Sequence, residues 1–421
     1  MKRILFNNIS TKQTVIKNTF WLFISECITK GSLFLISIII ATYLGVEGYG
    51  RWIFAFTFVS VFTIIADMGI STLMIREIAK NRKLAKKYLS NLISLKIILG
   101  CITLAALVAI AQLLGKESTT LALIYLIGIY TILNVFNDFL RAVFRAFEQM
   151  QYEAYSKIIG GILLVLFVGV AVHYNLSIIC LLLAYIISAV LSLAFTAILV
   201  KKDFLEIHPV YNFLFLKRIL KKSWPFAINM LLGIIYFQID TIQVNLIAGD
   251  AETGIYAVAY NFVFILLSLS SLVYAALYPA LSRIYAESKE KFYRNITFLS
   301  KKILLYSILI CLVMVIAAKF LILTLYGDEF YNSYPILIVL IISTFFLFTN
   351  TIYSQALLIT NRQKEYSKTL FIGVFANFAL NFIFIYYFNA LGAAITTLFS
   401  SLLITIMFLI KFRHIKKEDL E

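Results

Sequence analysis

The chain of 421 residues alternates long apolar runs with short polar segments from one end to the other. A membrane-crossing helix needs about 20 consecutive, mainly apolar residues, and the apolar runs here reach that length. The pattern therefore predicts an all-α polytopic membrane protein of about twelve transmembrane helices. The predicted spans are 18–43, 52–75, 88–113, 119–142, 154–173, 177–200, 224–248, 255–279, 303–326, 334–359, 369–388 and 391–411.

The basic residues alternate with the spans. Of the 37 Lys and Arg residues, 32 fall on the side of the N-terminus, and only Arg51 and Lys116 fall on the opposite side. The other three lie inside predicted spans. Because cytoplasmic loops hold the excess of Lys and Arg, we predict a multi-pass protein of a bacterial inner membrane with both termini in the cytoplasm. The net charge of +16 then reflects orientation in the bilayer, so nucleic acid is not expected as a partner.

The segments between the spans limit the possible functions. The two longest, 201–223 and 280–302, have only 23 residues each. They leave no room for a nucleotide-binding domain, and the outer segments are too short for an external catalytic domain. The sequence also lacks a zinc-binding His-Glu-x-x-His motif and a complete phosphate-binding loop. We therefore expect no enzymatic activity, no cofactor and no metal site.

The chain repeats itself at about half its length. Residues 44–58 match residues 248–262 at an offset of 204, with glycine at 45 and 249 and again at 50 and 254. We expect these glycines to allow tight turns at the outer surface. Six spans separate the copies, which predicts two six-helix lobes related by a parallel pseudo-twofold repeat. The expected division is an N-terminal lobe at 1–200, a cytoplasmic amphipathic linker at 201–223 and a C-terminal lobe at 224–421.

Several short motifs follow one another in order along most of the chain. They are Tyr43-Leu-Gly-Val-Glu-Gly-Tyr-Gly50, Ala66-Asp-Met-Gly-Ile70, Arg76-Glu-Ile-Ala79, Phe144-Arg-Ala-Phe-Glu148, Trp224-Pro225, Asp240, Gly254-Ile-Tyr-Ala-Val-Ala259 and Pro279-Ala-Leu-Ser-Arg283. In this order they resemble the Wzx-type oligosaccharide flippases, the polysaccharide exporter branch of the MOP superfamily, which also contains the MATE antiporters and the lipid II flippases. The resemblance implies two lobes around a central cavity and an undecaprenyl-diphosphate-linked glycan as substrate.

Span 1 carries two charges near its middle, Glu26 and Lys30, at the i, i+4 spacing of one helix face. A charge at mid-bilayer costs about 2.5–3.5 kcal/mol on insertion scales, so it usually faces a cavity or a partner. We predict that Lys30 meets the substrate diphosphate and that Glu26 holds it until substrate arrives. The structural alternative is a self-neutralised ion pair.

Span 7 has a polar stripe formed by Asn229, Gly233, Tyr236, Asp240 and Gln243, at steps of 4, 3, 4 and 3. This spacing places them on one helix face. We predict a hydrophilic groove for sugar hydroxyls, with Tyr236 stacking on a sugar ring. Packing between helices through small polar residues is the alternative, and Asp240 is also a candidate carrier of a coupling proton or cation.

Span 4 ends in Asn134, Asp138, Arg141 and Arg145, again on one face. The planar fork of arginine binds two phosphate oxygens at once. We therefore predict Arg141 and Arg145, with Asp138, as the first diphosphate contacts at the inner mouth. The alternative is that both arginines extend to anionic headgroups.

Three further charged residues lie near the inner surface. Asp67 and Arg76, at the inner end of span 2, are candidates for a gate. Lys96 lies two turns into span 3, from which we expect its ammonium group to snorkel toward the aqueous surface.

The leading hypothesis is translocation of a lipid-linked glycan by alternating access, with other polysaccharide assembly proteins as possible partners. A MATE-type cation-coupled drug or metabolite antiporter is the main alternative and predicts a cavity dominated by carboxylates. An O-antigen ligase or polymerase would need larger outer loops. An inert scaffold would leave the intramembrane charges without a role.

Overall fold

The structure is a computed structural model that describes residues 11–204 and 210–421. All regular secondary structure in these residues is helical. Two short 3-10 helices, Arg82–Leu84 and Asp328–Phe330, accompany eleven α-helices within the described residues. The α-helices are α1 (Thr11–Asp67), α2 (Ile70–Lys80), α3 (Ala85–Leu113), α4 (Ser118–Ala146), α5 (Met150–His173), α6 (Ile178–Asp203), α7 (Phe213–Ala248), α8 (Asp250–Glu287), α9 (Lys289–Tyr326), α10 (Ser333–Ile359) and α11 (Gln363–Leu420).

Ten helices in the described residues are long and apolar enough to cross a membrane. Helices satisfy their own backbone hydrogen bonds, which lipid cannot do for them. The prediction of an all-α polytopic membrane protein is confirmed.

The two longest candidate spans, Lys17–Asp67 and Gln363–Leu420, contain 51 and 58 residues. Straight helices of these lengths would measure roughly 77 and 87 Å, against a hydrocarbon core of about 30 Å. Both helices have a break in the backbone, at Gly45 (φ 67°) and at Asn389 (φ 51°). Each therefore consists of two helical segments. The breaks support the count of twelve crossings, which stays a prediction.

The repeated glycines have two different roles. Gly45 and Gly249 have φ values of +67° and +91°, which glycine adopts at no steric cost, so the expected turns are present there. Gly50 and Gly254 instead lie inside helices α1 and α8. A Cβ atom added at Gly50 would be 1.8 Å from the carbonyl oxygen of Asp250, and one added at Gly254 would be 2.1 Å from that of Val46. These two glycines permit backbone contact between helices, and their expected role in turns was wrong.

The described residues form two compact units. The first unit contains the described residues up to Tyr43 and from Ala55 to Ile235. Within it, α4 packs against α2, α3 and α6, and α5 packs against α6. Its main apolar core joins α2, α3 and α4 with the start of α7.

The second unit contains the segment from Leu44 to Phe54 and the chain from Tyr236 onward. Helix α10 is central to it and packs against α8, α9 and α11. The apolar core of this unit lies at the ends of the same helices and includes Phe292, Tyr293, Phe408 and Phe412. The predicted lobe boundaries at 200 and 224 stay a prediction.

The part of the predicted amphipathic linker from Phe213 onward is helical, but it is not a separate helix. It forms the first turns of the 36-residue helix α7, which continues through Pro225 into predicted span 7. Leu216 and Ile219 are buried in the core of the first unit, so this segment is anchored by its apolar face. Residues 205–209 of the predicted linker lie outside the described residues.

Candidate functional site

A cavity of about 680 Å³ in the first unit gathers several of the charged residues that the sequence pointed to. Helices α1, α4, α5 and α6 supply most of its walls, which also present hydroxyl and amide groups. We call it the charged cavity. Its charged lining consists of Glu26, Lys30, Asp67, Asp138, Arg141, Arg145 and Lys157.

Helix α4 presents the predicted polar face to this cavity. Asn134, Asp138, Arg141 and Arg145 all line it, as their steps of 4, 3 and 4 require for residues on one helix face. Apolar residues of α4, including Phe139 and Val143, are buried in the core of the unit. Helix α4 therefore fixes two guanidinium groups and one carboxylate along a single wall.

Arg141 is 9% exposed and joins three helices. Its Nε donates to Ser156 Oγ at 2.8 Å, and its Nη1 donates to Asp138 at 3.1 Å. Its Nη2 lies 3.4 Å from both the carbonyl oxygen of Ser156 and Ser192 Oγ. Gly160 leaves room for this arrangement, since a Cβ there would lie 2.8 Å from Ser192 Oγ. A guanidinium has five N–H donors, so Arg141 keeps at most one for a ligand unless it releases the exposed Asp138.

A buried carboxylate positions two other cations of the charged cavity. Glu153 is 1% exposed and accepts from Arg145 Nε and Lys157 Nζ, each at 3.0 Å. Lys157 also donates to Glu26 at 2.6 Å. The carboxylate of Glu26, predicted to hold Lys30, thus connects α1 to α5 through Lys157. Lys30 lies one turn further along α1 and also lines the cavity.

Sequence reasoning missed Glu153 and Lys157 as members of the site. Their i, i+4 spacing at the inner end of predicted span 5 was a usable signal. The burial of Glu153 depends on neighbouring helices and could not be read from the spacing.

The two candidate gate residues are not partners in the structure. Asp67 lines the charged cavity and forms an ion pair with Lys96, whose side chain is fully buried. The expectation that Lys96 snorkels to the surface was wrong, because a carboxylate on another helix meets its ammonium group inside the protein. Arg76 pairs with Glu77 at 2.9 Å and lies over the ring of Phe226. The hydrogen bond from Arg76 lowers the pKa of the Glu77 carboxyl.

In the second unit, the carboxylate of Asp240 lies in a buried polar network. It accepts from Asn381 at 2.7 Å, from Thr397 at 2.7 Å and from the Tyr256 hydroxyl at 3.2 Å. Gln243 accepts from the same Asn381 amide at 2.8 Å. Asp240 and Gln243 are 5% and 4% exposed. No Lys or Arg side chain within the described residues forms an ion pair with Asp240.

The rest of the predicted stripe on span 7 has a mixed placement. Tyr236 is half-buried and packs against the apolar core of the second unit. Asn229 lies in α7, but its side chain is outside what the structure describes. Tyr236, Asp240 and Gln243 belong to the second unit, whereas the charged cavity lies within the first. The sugar-binding groove on span 7 stays a prediction.

Family models match most of the chain. The family described as "Polysaccharide biosynthesis protein" matches residues 15–285, and the MatE family matches residues 225–387. A curated relative is the "Capsular polysaccharide biosynthesis protein CapF" of Staphylococcus aureus. It is 23% identical over 409 residues, which cover 95% of this chain and 100% of the relative.

Solved structures share the fold at low sequence identity. The lipid II flippase MurJ in an inward closed conformation has a TM-score of 0.76 and 14% identity, and the match covers 94% of this chain and 87% of that one. A multidrug resistance MATE transporter of the MOP superfamily, in an inward-facing conformation, has a TM-score of 0.77 and 15% identity, with 93% and 94% covered. The expected MOP and MATE-like fold is confirmed.

Proposed function

We propose that this chain, which belongs to the polysaccharide biosynthesis protein family, translocates a lipid-linked oligosaccharide across the bacterial inner membrane. Its substrate would be an undecaprenyl-diphosphate-linked repeat unit, moved to the outer leaflet during synthesis of a surface polysaccharide such as capsule or O-antigen. The relative named for capsular polysaccharide biosynthesis and the fold shared with a lipid II flippase support this proposal.

The observation that carries the proposal is the convergence of four cations on one cavity inside a membrane protein. Lys30, Arg141, Arg145 and Lys157 all line the charged cavity. Charges in membrane segments are costly and usually mark a substrate pathway. Guanidinium and ammonium groups are the side chains that bind phosphate.

The ion pairs of the cavity suggest how the diphosphate is bound and released. Glu26, with its side chain 30% exposed, is the accessible partner of Lys157, whereas Glu153 is buried behind it. An incoming diphosphate replaces Glu26 at Lys157, and Glu153 keeps Lys157 and Arg145 in place. When the phosphates leave, Glu26 returns, so the cation never stands alone in a region of low dielectric.

The remaining steps need no covalent chemistry. Hydroxyl and amide side chains of the cavity, such as Thr131 and Asn134, bind the sugar hydroxyls. The polyprenyl tail stays in the hydrocarbon of the bilayer throughout, so only the diphosphate and the sugars have to pass through the cavity. Alternating access then exposes the cavity first to the cytoplasm and then to the outer side. The distribution of Lys and Arg supports the placement of both termini in the cytoplasm.

The test is lipid mass spectrometry on a deletion strain, combined with a leaflet-accessibility probe. We expect an undecaprenyl-diphosphate-linked oligosaccharide to accumulate on the cytoplasmic side. Wild-type protein and Lys319→Ala, a lysine outside the charged cavity, should relieve it, whereas Lys30→Ala and Lys157→Ala should not. If all variants relieve the accumulation, the proposed site is wrong but the proposed function stands. No accumulation at all would reject the function.

A second candidate is cation-coupled antiport of a drug or metabolite. The observation in its favour is the buried carboxylate of Asp240, which meets hydroxyl and amide groups rather than a basic side chain, in the region that matches the MatE family. Within the described residues, the charged cavity is lined by four cations and three carboxylates, and this net positive lining argues against a cationic cargo. Sensitivity of a deletion strain to cationic drugs, restored by the wild type and not by Asp240→Asn, would favour this candidate.

A further inference from the structure

A second concave surface lies in the second unit, among residues that the charge pattern places in the cytoplasm. It is an open groove of about 480 Å³ between the N-terminal turns of α9 and the C-terminal turns of α11. We call it the basic groove. Its lining consists of Glu290, Arg294, Thr297, Phe298, Lys301, Lys416 and Leu420.

The three cations of the basic groove are not neutralised by ion pairs. Among the described residues, none of Arg294, Lys301 and Lys416 has an acidic side chain within ion-pair distance. Three other lysines of α9 and α11 do have such partners. These pairs are Lys289 with Asp419 at 3.3 Å, Lys411 with Glu365 at 2.6 Å and Lys417 with Glu421 at 3.6 Å. Glu290 is the one acidic residue in the described lining, so three cations face one carboxylate and the groove has a net positive charge. Such a charge attracts an anion.

The position along α9 places the basic groove at the level of lipid headgroups. Helix α9 has 38 residues, and only 11% of its most apolar stretch is buried, so this helix faces lipid. Lys301 lies two residues before the start of predicted span 303–326, and Arg294 lies about 10 Å further along the axis. The interfacial layer of one leaflet is about 5–8 Å thick. The groove therefore extends from the edge of the hydrocarbon through this layer.

Apolar side chains border the cations on the same surface. Arg294, Phe298 and Lys301 are separated by steps of 4 and 3, which places them on one helix face. Phe298 is 56% exposed, and Leu420, from α11, is 46% exposed. An amphipathic ligand fits this arrangement, since its anion meets the cations while its apolar part covers the two exposed side chains. A free inorganic anion would leave Phe298 and Leu420 uncovered.

We infer that the basic groove binds the phosphate of an anionic phospholipid from the cytoplasmic leaflet. Arg294 supplies a planar fork for two phosphate oxygens, and Lys301 and Lys416 supply ammonium groups from two helices. The glycerol and upper acyl chain lie against Phe298 and Leu420. This site is separate from the charged cavity and is independent of the substrate proposed there.

The experiment uses the full-length chain in phosphatidylcholine vesicles that contain a trace of spin-labelled lipid. Association of spin-labelled phosphatidylglycerol is compared with that of spin-labelled phosphatidylcholine. We expect the wild type to prefer phosphatidylglycerol and the triple variant Arg294→Gln, Lys301→Gln, Lys416→Gln to lose this preference by about fivefold or more. The matched control is Lys291→Gln, Arg413→Gln, Lys417→Gln, which removes the same charges from the same two helices outside the groove and should change the preference less than about twofold.

Three results would overturn the inference. An equal loss in both triple variants would indicate general surface charge, and an unchanged preference in the groove variant would remove the site. Displacement of the labelled lipid by inorganic diphosphate as effectively as by unlabelled phosphatidylglycerol would indicate a site for free phosphate. If the groove variant fails to fold, as judged by its thermal unfolding in detergent, Lys416→Gln alone must reduce the preference relative to Lys417→Gln alone.

Discussion

Replacing Lys96 by methionine tests whether a lysine inside the first unit is held by an ion pair. The Lys96 ammonium group pairs with Asp67, donates to the carbonyl oxygen of Ala66 at 3.2 Å and lies 5.5 Å from the ring centre of Phe139. Methionine keeps much of the length and volume of the side chain but removes the charge. The carboxylate of Asp67 then keeps Ser71, at 2.5 Å, as its remaining described partner.

The structure gives the size of the expected effect. The Lys96 side chain is 0% exposed and that of Asp67 is 11% exposed, so water screens this pair very little. Breaking a buried ion pair by removing one partner costs about 3–5 kcal/mol, because the other charge stays buried without compensation. The hydrogen bond from Ser71 offsets about 1 kcal/mol. We therefore expect Lys96→Met to lower the free energy of unfolding by about 2–4 kcal/mol.

The assay is denaturant unfolding in detergent micelles for the wild type, Lys96→Met, Asp67→Asn and the double variant. The double variant should recover most of the loss, because a buried ion pair exchanged for neutral groups of similar volume is often nearly neutral in stability. If Lys96→Met costs less than about 1 kcal/mol, the ammonium group reaches water and our account of its burial fails. Additive losses in the double variant would show that the two side chains do not interact.

Two further substitutions have matched controls. Glu153→Gln removes the buried carboxylate behind two cavity cations and should lower the free energy of unfolding by about 1–3 kcal/mol. Its control, Glu418→Gln, breaks the exposed ion pair with Arg362 and should change the free energy of unfolding by less than about 1 kcal/mol. Equal losses in the two variants would contradict the positioning role of Glu153. Gly50→Ala should destabilise the protein by at least about 2 kcal/mol, because its Cβ would lie 1.8 Å from the carbonyl oxygen of Asp250. Gly169→Ala, with open space around its Cβ, should be neutral or slightly stabilising in the same unfolding assay, and a similar loss in both would reject close packing as the cause.

Features that depend on local spacing could be predicted from the sequence. The long apolar runs were enough to predict the helices. A chain that crosses a bilayer must satisfy its backbone hydrogen bonds internally, and a helix of about 20 apolar residues does so within one segment. The steps of 4, 3 and 4 from Asn134 to Arg145 were enough to place four side chains on one wall of the charged cavity. The glycine turns at 45 and 249 followed from the repeat, since both positions have the left-handed backbone that glycine favours.

Features that depend on partners far along the chain could not be predicted. Lys157 pairs with Glu26 across 131 positions, and Lys96 pairs with Asp67 across 29. Spacing within one helix assigned Glu26 to Lys30 and left Lys96 to the aqueous surface. In both cases a residue on another helix provides the better partner. A charge in a membrane helix signals that a partner exists, but only tertiary packing identifies it.

The contact between Gly50 and Gly254 limits how this gene can change. Each glycine faces a carbonyl oxygen of the opposite helix, so a side chain at one position cannot be accommodated by a smaller residue at the other, which already has none. A substitution at either site therefore has no single compensating partner. Two halves that arose by duplication would therefore be held to glycine at this contact, and glycine stands at both 50 and 254.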